Sequence, residues 1–301
     1  MPTHAPLTGL WPPVATPFMD DGSVNFPALT AHSRSLLDEG ATGLAILGTT
    51  SEANSLTLDE RRRVIDAHVE AGIAPERLIP GTGACAIDDA ATLTRHAGEI
   101  GAAAVLLLPP FFYKGVSDDG LFAFVASVIE RAGAHAPRIM LYHIPPMAGV
   151  GWSVELVGRL TEAFPDHVVG MKDSSGDAAN TRKMIEAFPG FAVFPGAEVY
   201  LAQALAWGAK GCISATANVN ARAIAEMIRV SGAEDMTARQ DALNAVRVAI
   251  QSRGLVPASK AVLAARYRDG AWRNVRPPLM QLSETVRSEL LAEPAIAPLA
   301  A

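Results

Sequence analysis

Two cysteines are all that this 301-residue chain contains, Cys85 and Cys212, and they lie far apart. So sparse a set builds neither a disulfide framework nor a cysteine-based zinc site. Long apolar runs are missing as well. The longest, AAAVLLL at 102–108, is far shorter than the roughly 20 residues needed to span a bilayer. There is no basic excess: the net charge is −6, the pI is near 5.7, and Lys and Arg are scattered. This argues against a nucleic-acid footprint and against a basic membrane-surface stripe. The opening MPTHAPLTGLWPP has no basic start, no apolar h-region and no small-residue cleavage pattern, so no secretory signal is read there. Neither a Walker A sequence nor H-E-x-x-H occurs, and the seven histidines are dispersed, leaving no visible ligand cluster for metal chemistry. The expectation is a soluble, cytoplasmic protein acting on a small molecule, with no membrane or nucleic-acid partner, no metal and no cofactor.

What is present is apolar material in short pieces. Half the residues are apolar and 19% are charged, enough for a substantial core. Runs at 10–16, 43–47, 78–81, 103–107, 139–142, 168–172, 191–194 and 211–214 read as strands. Most are continuously apolar rather than alternating, as in strands buried on both faces of a parallel sheet. Helical patterns lie between them at 27–39, 58–71, 88–98, 118–132, 154–164, 180–188 and 199–207. Thr57 and Glu60 have capping-box spacing, and Pro27 suits a first helical turn. Gly40-Ala41, Gly101-Ala102 and Gly208-Ala209 each close a helical segment shortly before an apolar run, which points to one αβ loop used three times.

Eight strands with helices between them predict an α/β fold, a (β/α)8 TIM barrel over residues 1–221, with a doubly wound open sheet as the runner-up. After Ala221 only helical patterns follow, at 222–252, 258–268 and 279–292, so a C-terminal helical domain is expected over 222–292. The tail 293–301, EPAIAPLAA, is expected to fray. Residues 81–86, GTGACA, formally fit a dinucleotide fingerprint. They follow the third strand rather than the first, and no acid ends the next strand to hold a ribose, so that reading is rejected.

Barrel chemistry collects at the C-terminal ends of strands. The second strand ends in GTTSE, the fifth in Tyr142-His143, the sixth in Lys172 and the eighth in Ile213-Ser214. If Lys172 points into the barrel, Gly170 does too, while Met171 and Asp173 face the helices; Tyr142 shares its side with Met140. A lysine, a tyrosine and a hydroxyl-rich loop match Schiff-base chemistry. An ordinary lysine ammonium, of pKa about 10.4, costs roughly 4–5 kcal/mol to deprotonate near neutrality, a cost that burial in an apolar barrel mouth can supply. The resulting iminium is an electron sink for breaking or making an adjacent carbon–carbon bond, and a nearby phenol can carry the proton.

GTTSEANSL, YHIPPMAGVG, GMKDSSGD and GCISATANVN resemble the family of dihydrodipicolinate synthase and N-acetylneuraminate lyase, in order and over about residues 8–281. The resemblance implies a barrel with a C-terminal helical domain, an oligomer (tetramer or dimer), and Schiff-base lyase chemistry on pyruvate or a related 2-keto acid. It implies Lys172 as imine former and Tyr142 as proton relay. Thr49 and Thr50 would hold the keto-acid carboxylate, Thr50 also joining the catalytic hydroxyls. Ile213 would offer a backbone carbonyl, and Glu198 in PGAE would hold substrate hydroxyls. The family's second tyrosine, lent across a subunit interface, falls near PPFFYKG, with Tyr113 as its candidate. His143 stands where asparagine is usual, with a loop-facing structural role expected for it.

One departure bears on the substrate. Dihydrodipicolinate synthases carry an arginine after the Y-x-x-P-x stretch for the aldehyde partner's carboxylate, and this chain has Met147. Methionine cannot make that bidentate contact. The first expectation is therefore a class I aldolase cleaving a 2-keto-4-hydroxy acid to pyruvate and an aldehyde. A 4-hydroxy-tetrahydrodipicolinate synthase, a sugar-acid dehydratase and a non-catalytic keto-acid sensor remain as alternatives.

Overall fold

Parallel strands close into a ring in the computed structural model, which describes residues 6–301. Strands β1 (Gly9–Leu10), β2 (Val105–Leu107), β3 (Ile139–His143), β4 (Val168–Asp173), β5 (Ala192–Pro195) and β6 (Gly211–Cys212) are joined by two extended segments that bridge at Leu44, Leu78 and Gly81. β2 to β5 form a continuous parallel ladder, and β1 pairs with β6. Backbone bonds carry the ring around the remaining gaps. Ala45 N–H reaches Pro12 O, Ile79 N–H reaches Leu44 O, Leu106 N–H reaches Pro80 O, and Ile213 N–H reaches Pro195 O. The fold is the (β/α)8 TIM barrel that the strand count predicts.

The alternation expected along the strands is visible in what each residue touches. Met140, Tyr142, Ala192 and Phe194 pack inside the barrel with Ala45, Ile79 and Ile213. Their neighbours Ile139, Leu141, Met171 and Val193 pack outward against helices. Both faces are buried, which is why the strands read as unbroken apolar runs.

The outer helices are α1 (Phe26–Asp38), α2 (Leu58–Glu70), α3 (Ile87–Glu99) and α4 (Asp118–Ala132), then a short α5 (Pro145–Ala148), α6 (Val154–Ala163), α7 (Ala178–Ala187) and α8 (Leu201–Trp207). Thr57 and Glu60 form the reciprocal capping box at the start of α2, and Pro27 lies in the first turn of α1. The three Gly-Ala pairs share one geometry. Gly40, Gly101 and Gly208 have φ of 102°, 82° and 108°. In each case the glycine N–H bonds three residues back and the alanine N–H five residues back, the Schellman arrangement that ends a helix.

The helical region differs from expectation in three places. The stretch 222–252 is not one helix: α9 (Ala217–Arg229), kinked at Asn220, is separated from α10 (Met236–Gln251). Ile224 and Met227 of α9 pack with Leu10, Leu36 and Leu44, so this helix completes the barrel's outer ring. The expected boundary at 221/222 lies within α9, just after its kink at Asn220. The extension consists of α10, α11 (Leu255–Arg266), α12 (Glu284–Ala292) and α13 (Ala297–Ala300). Nor is the tail 293–301 frayed: Ile296 is fully buried in the extension's core, and Arg266 Nε donates to Leu299 O at 2.8 Å. The burial of Ile296 and the bond to Leu299 hold a chain end that composition alone reads as loose. Among the described residues no helix is long and apolar enough to cross a membrane.

Candidate active site

β4 delivers Lys172 to the C-terminal mouth of the barrel, in register with Tyr142 on β3 and Phe194 on β5. Lys172 is only 3% exposed, and its Nζ lies 4.2 Å from the centroid of the Tyr142 ring. Among the described residues no hydrogen-bond acceptor and no ion-pair partner meets this amine. A buried ammonium without a partner is costly, so the arrangement is not one that stability alone favours.

Tyr142 is fixed at both ends. Its hydroxyl lies 3.1 Å from Thr49 Oγ1, and its carbonyl accepts the Trp152 indole N–H at 3.1 Å. Trp152 N–H in turn donates to His143 Nδ1 at 3.0 Å. Burial lowers the His143 pKa, with Asp173 nearby opposing the shift. His143 thus keeps an unprotonated Nδ1 as an acceptor that secures the end of β3. Asp173 borders the pocket, but its carboxylate faces α7 and is taken up by Ser175 N–H, Asn180 Nδ2 and Thr181 Oγ1.

The GTTSE loop is held from two sides. The Ser51 hydroxyl donates to Val14 O and accepts from Gly48 N–H. Glu52 adopts a left-handed φ of 56°, a conformation that costs a non-glycine residue about 1–2 kcal/mol. Its carboxylate accepts from the Lys260 ammonium and, at 2.8 Å, from Arg276 N–H. Glu52 and Lys260 have fully buried side chains. Lys260 also donates to Asn274 O at 2.6 Å and lies 4.3 Å from the Phe18 ring centroid. Burial pushes its pKa down, and the attraction of Glu52 opposes this.

These elements enclose a cavity of about 620 Å³ lined by Thr49, Thr50, Tyr142, Met147 and Lys172, among others. The volume is typical of a small-molecule site. A second wall comes from the helical extension: Arg247 and Gln251 of α10, with Leu255, Val256 and Pro257.

Three sequence candidates do not line this cavity. Tyr113 is 72% exposed and packs edge-on against Phe112 at 5.3 Å. Phe111 of the same loop packs against the barrel's inner cluster, while Tyr113 itself stays exposed and outside the cavity that this chain encloses. Glu198 is 1% exposed, and its carboxylate is capped by the hydroxyls of Ser214 and Thr216. It is therefore a buried structural acid rather than a group open to substrate hydroxyls. The Ile213 side chain is buried in the barrel interior, and Ala215 lines the cavity two residues further on.

Sequence reasoning missed the Glu52–Lys260 pair and Arg247. Nothing local marks them, because Lys260 lies 208 residues from Glu52 and the Ser214 that fixes Arg247 lies 33 residues before it.

A family model described as "Dihydrodipicolinate synthetase family" matches residues 6–294. The 4-hydroxy-tetrahydrodipicolinate synthase of Agrobacterium fabrum is 34% identical over 280 residues, covering 92% of this chain and 93% of that protein. The crystal structure of dihydrodipicolinate synthase from Agrobacterium tumefaciens superposes with a TM-score of 0.88 at 36% identity, covering 97% and 99% of the two chains. YagE from E. coli K12, solved in complex with pyruvate, gives 0.89 at 25% identity over 98% and 99%. On sequence and architecture alike, this chain belongs to the dihydrodipicolinate synthetase family.

Proposed function

We propose that the protein is a class I aldolase that reversibly cleaves a 2-keto-4-hydroxy acid into pyruvate and an aldehyde. Members of the family are pyruvate-dependent lyases. The observation that carries the reading is Lys172, a buried amine without an ion-pair partner among the described residues, opening on the cavity beside the Tyr142 ring.

The Lys172 amine adds to the C2 ketone, and loss of water gives an iminium. The C4 hydroxyl then loses its proton, the C3–C4 bond breaks, and its electron pair flows into the iminium to leave an enamine and a free aldehyde. Protonation at C3 and hydrolysis release pyruvate and restore the amine. Tyr142, bonded to Thr49, carries protons between the substrate oxygen and its surroundings. Thr49 and Thr50 bind the keto-acid carboxylate.

Borohydride reduction in the presence of pyruvate is expected to leave a stable adduct on Lys172, located by peptide mass spectrometry. No adduct with pyruvate or any other 2-keto acid would overturn the aldolase and favour a binding protein that merely senses such acids.

A second reading, 4-hydroxy-tetrahydrodipicolinate synthase, is favoured by the name of the Agrobacterium fabrum relative. Met147 opposes it, since a thioether at the cavity edge offers no donor to the semialdehyde carboxylate. Met147→Arg is expected to raise kcat/KM for aspartate semialdehyde about tenfold or more, the scale of one charge-assisted hydrogen bond. An unchanged value in the variant would remove the argument from Met147.

A further inference from the structure

Arg247 is the guanidinium that enters the cavity, and it does so from the helical extension rather than from the barrel. Its side chain is 11% exposed. Nε donates to Gln251 Oε1 at 2.7 Å, Nη1 donates to Ser214 Oγ at 3.2 Å, and Nη1 lies 3.6 Å from Glu198 Oε2. Nη2 makes no hydrogen bond to any described residue. The group is therefore held in place by three neighbours while one of its terminal nitrogens stays available.

The charges around the cavity are lopsided. Lys172 and Arg247 line it as cations, and Asp173 is the acid among its lining residues. The Asp173 carboxylate already accepts three hydrogen bonds from β4–α7 groups. Glu198 lies behind Arg247, buried and capped by two hydroxyls. One substrate carboxylate offsets the iminium on Lys172. Arg247 is left facing the cavity with nothing of opposite charge in front of it.

We infer that Arg247 recognises a second anionic group at the far end of the substrate, so that the preferred 2-keto-4-hydroxy acids carry an anionic terminus on the aldehyde half. The inference rests on the reading of Lys172 as the imine former. It also gives Met147 a context. The aldehyde half has an apolar contact on α5 and its charge is met by α10 instead, so Met147 speaks against a carboxylate held from α5 and not against an anionic aldehyde as such. Gln251 and Ser214 act as positioning residues, fixing the plane of a guanidinium whose bidentate geometry depends on orientation.

The test measures the half-saturating concentration for borohydride-trapped adduct formation on Lys172. Three 2-keto-4-hydroxy acids of matched length are compared, ending in a carboxylate, a phosphate ester or a hydroxymethyl group. In the unmodified protein the anionic acids are expected to saturate at lower concentration, and the tighter of the two names the terminus. Arg247→Ala should raise their half-saturating concentration about 10- to 100-fold, the range of a lost charge-assisted hydrogen bond. The hydroxymethyl acid should move less than about threefold, a difference under 1 kcal/mol.

Because Arg247→Ala leaves Glu198 without its cation, the double variant Arg247→Ala/Glu198→Gln is measured beside it and should discriminate in the same way. Arg247→Lys should recover part of the preference. Equal losses for all three acids, or equal saturation by all three in the unmodified protein, would overturn the inference while leaving Lys172 chemistry intact. Failure of every acid, pyruvate included, to trap on the unmodified protein would instead overturn the Lys172 reading, and this inference with it.

Discussion

Lys172→Ala is expected to abolish adduct formation and lower turnover by about 10⁴-fold or more, the scale seen when a covalent nucleophile is removed, while thermal stability holds or rises. The two halves of that result come from the same geometry. The lysine is buried against the Tyr142 ring, and no described carboxylate or acceptor compensates its charge. Removing such a group relieves a desolvation cost, and the space it vacates opens onto a cavity that water can fill. A site that works at the expense of stability gains stability when its reactive group is cut away. A melting curve and mass spectrometry after borohydride treatment read the two halves separately. A variant that melts well below the parent would mean that Lys172 supports the fold.

Lys260→Met should do the opposite, costing about 3–5 kcal/mol of stability. It leaves the Glu52 carboxylate fully buried with the Arg276 N–H as its remaining hydrogen bond among the described residues and only the Arg276 guanidinium nearby as a cation. The shift in denaturant midpoint at constant slope reads this loss. Because the penalty belongs to the orphaned charge, Lys260→Met/Glu52→Gln should be less destabilised than Lys260→Met alone. A double variant no better than the single would mean that packing against Phe18, rather than charge, sets the cost. The same substitution should weaken keto-acid binding, since Glu52 belongs to the loop that carries Thr49 and Thr50.

Much of this molecule is legible in local sequence, because its information is local. Strand runs buried on both faces, the Thr57–Glu60 cap and the three Gly-Ala helix ends depend on residues within one turn or one loop. Alternation along 139–143 and 168–173 was enough to aim Tyr142 and Lys172 inward and Asp173 toward α7, and the packing agrees. What could not be read depends on distance along the chain. The resemblance makes Glu198 an acid for substrate hydroxyls, yet its partners Ser214, Thr216 and Arg247 arrive 16, 18 and 49 residues later. Arg247 sits on a helix whose periodicity describes its own burial and says nothing about which cavity it enters. Tyr113 stands apart for a different reason: an exposed aromatic in a loop has no pattern that tells a contact within the chain from one outside it. The tail was misjudged because a single buried residue, Ile296, outweighs the loose look of its neighbours.

The Glu52–Lys260 pair also sets an order in time. The two residues are 208 positions apart, so during synthesis the GTTSE loop emerges long before the lysine that neutralises its acid. The barrel's strands can pair as they appear. The loop beside Lys172 gains its buried counter-charge only once most of the chain has left the ribosome. A growing chain therefore holds Lys172 without a finished pocket around it, since the cavity wall formed by residues 247–257 is synthesised after it.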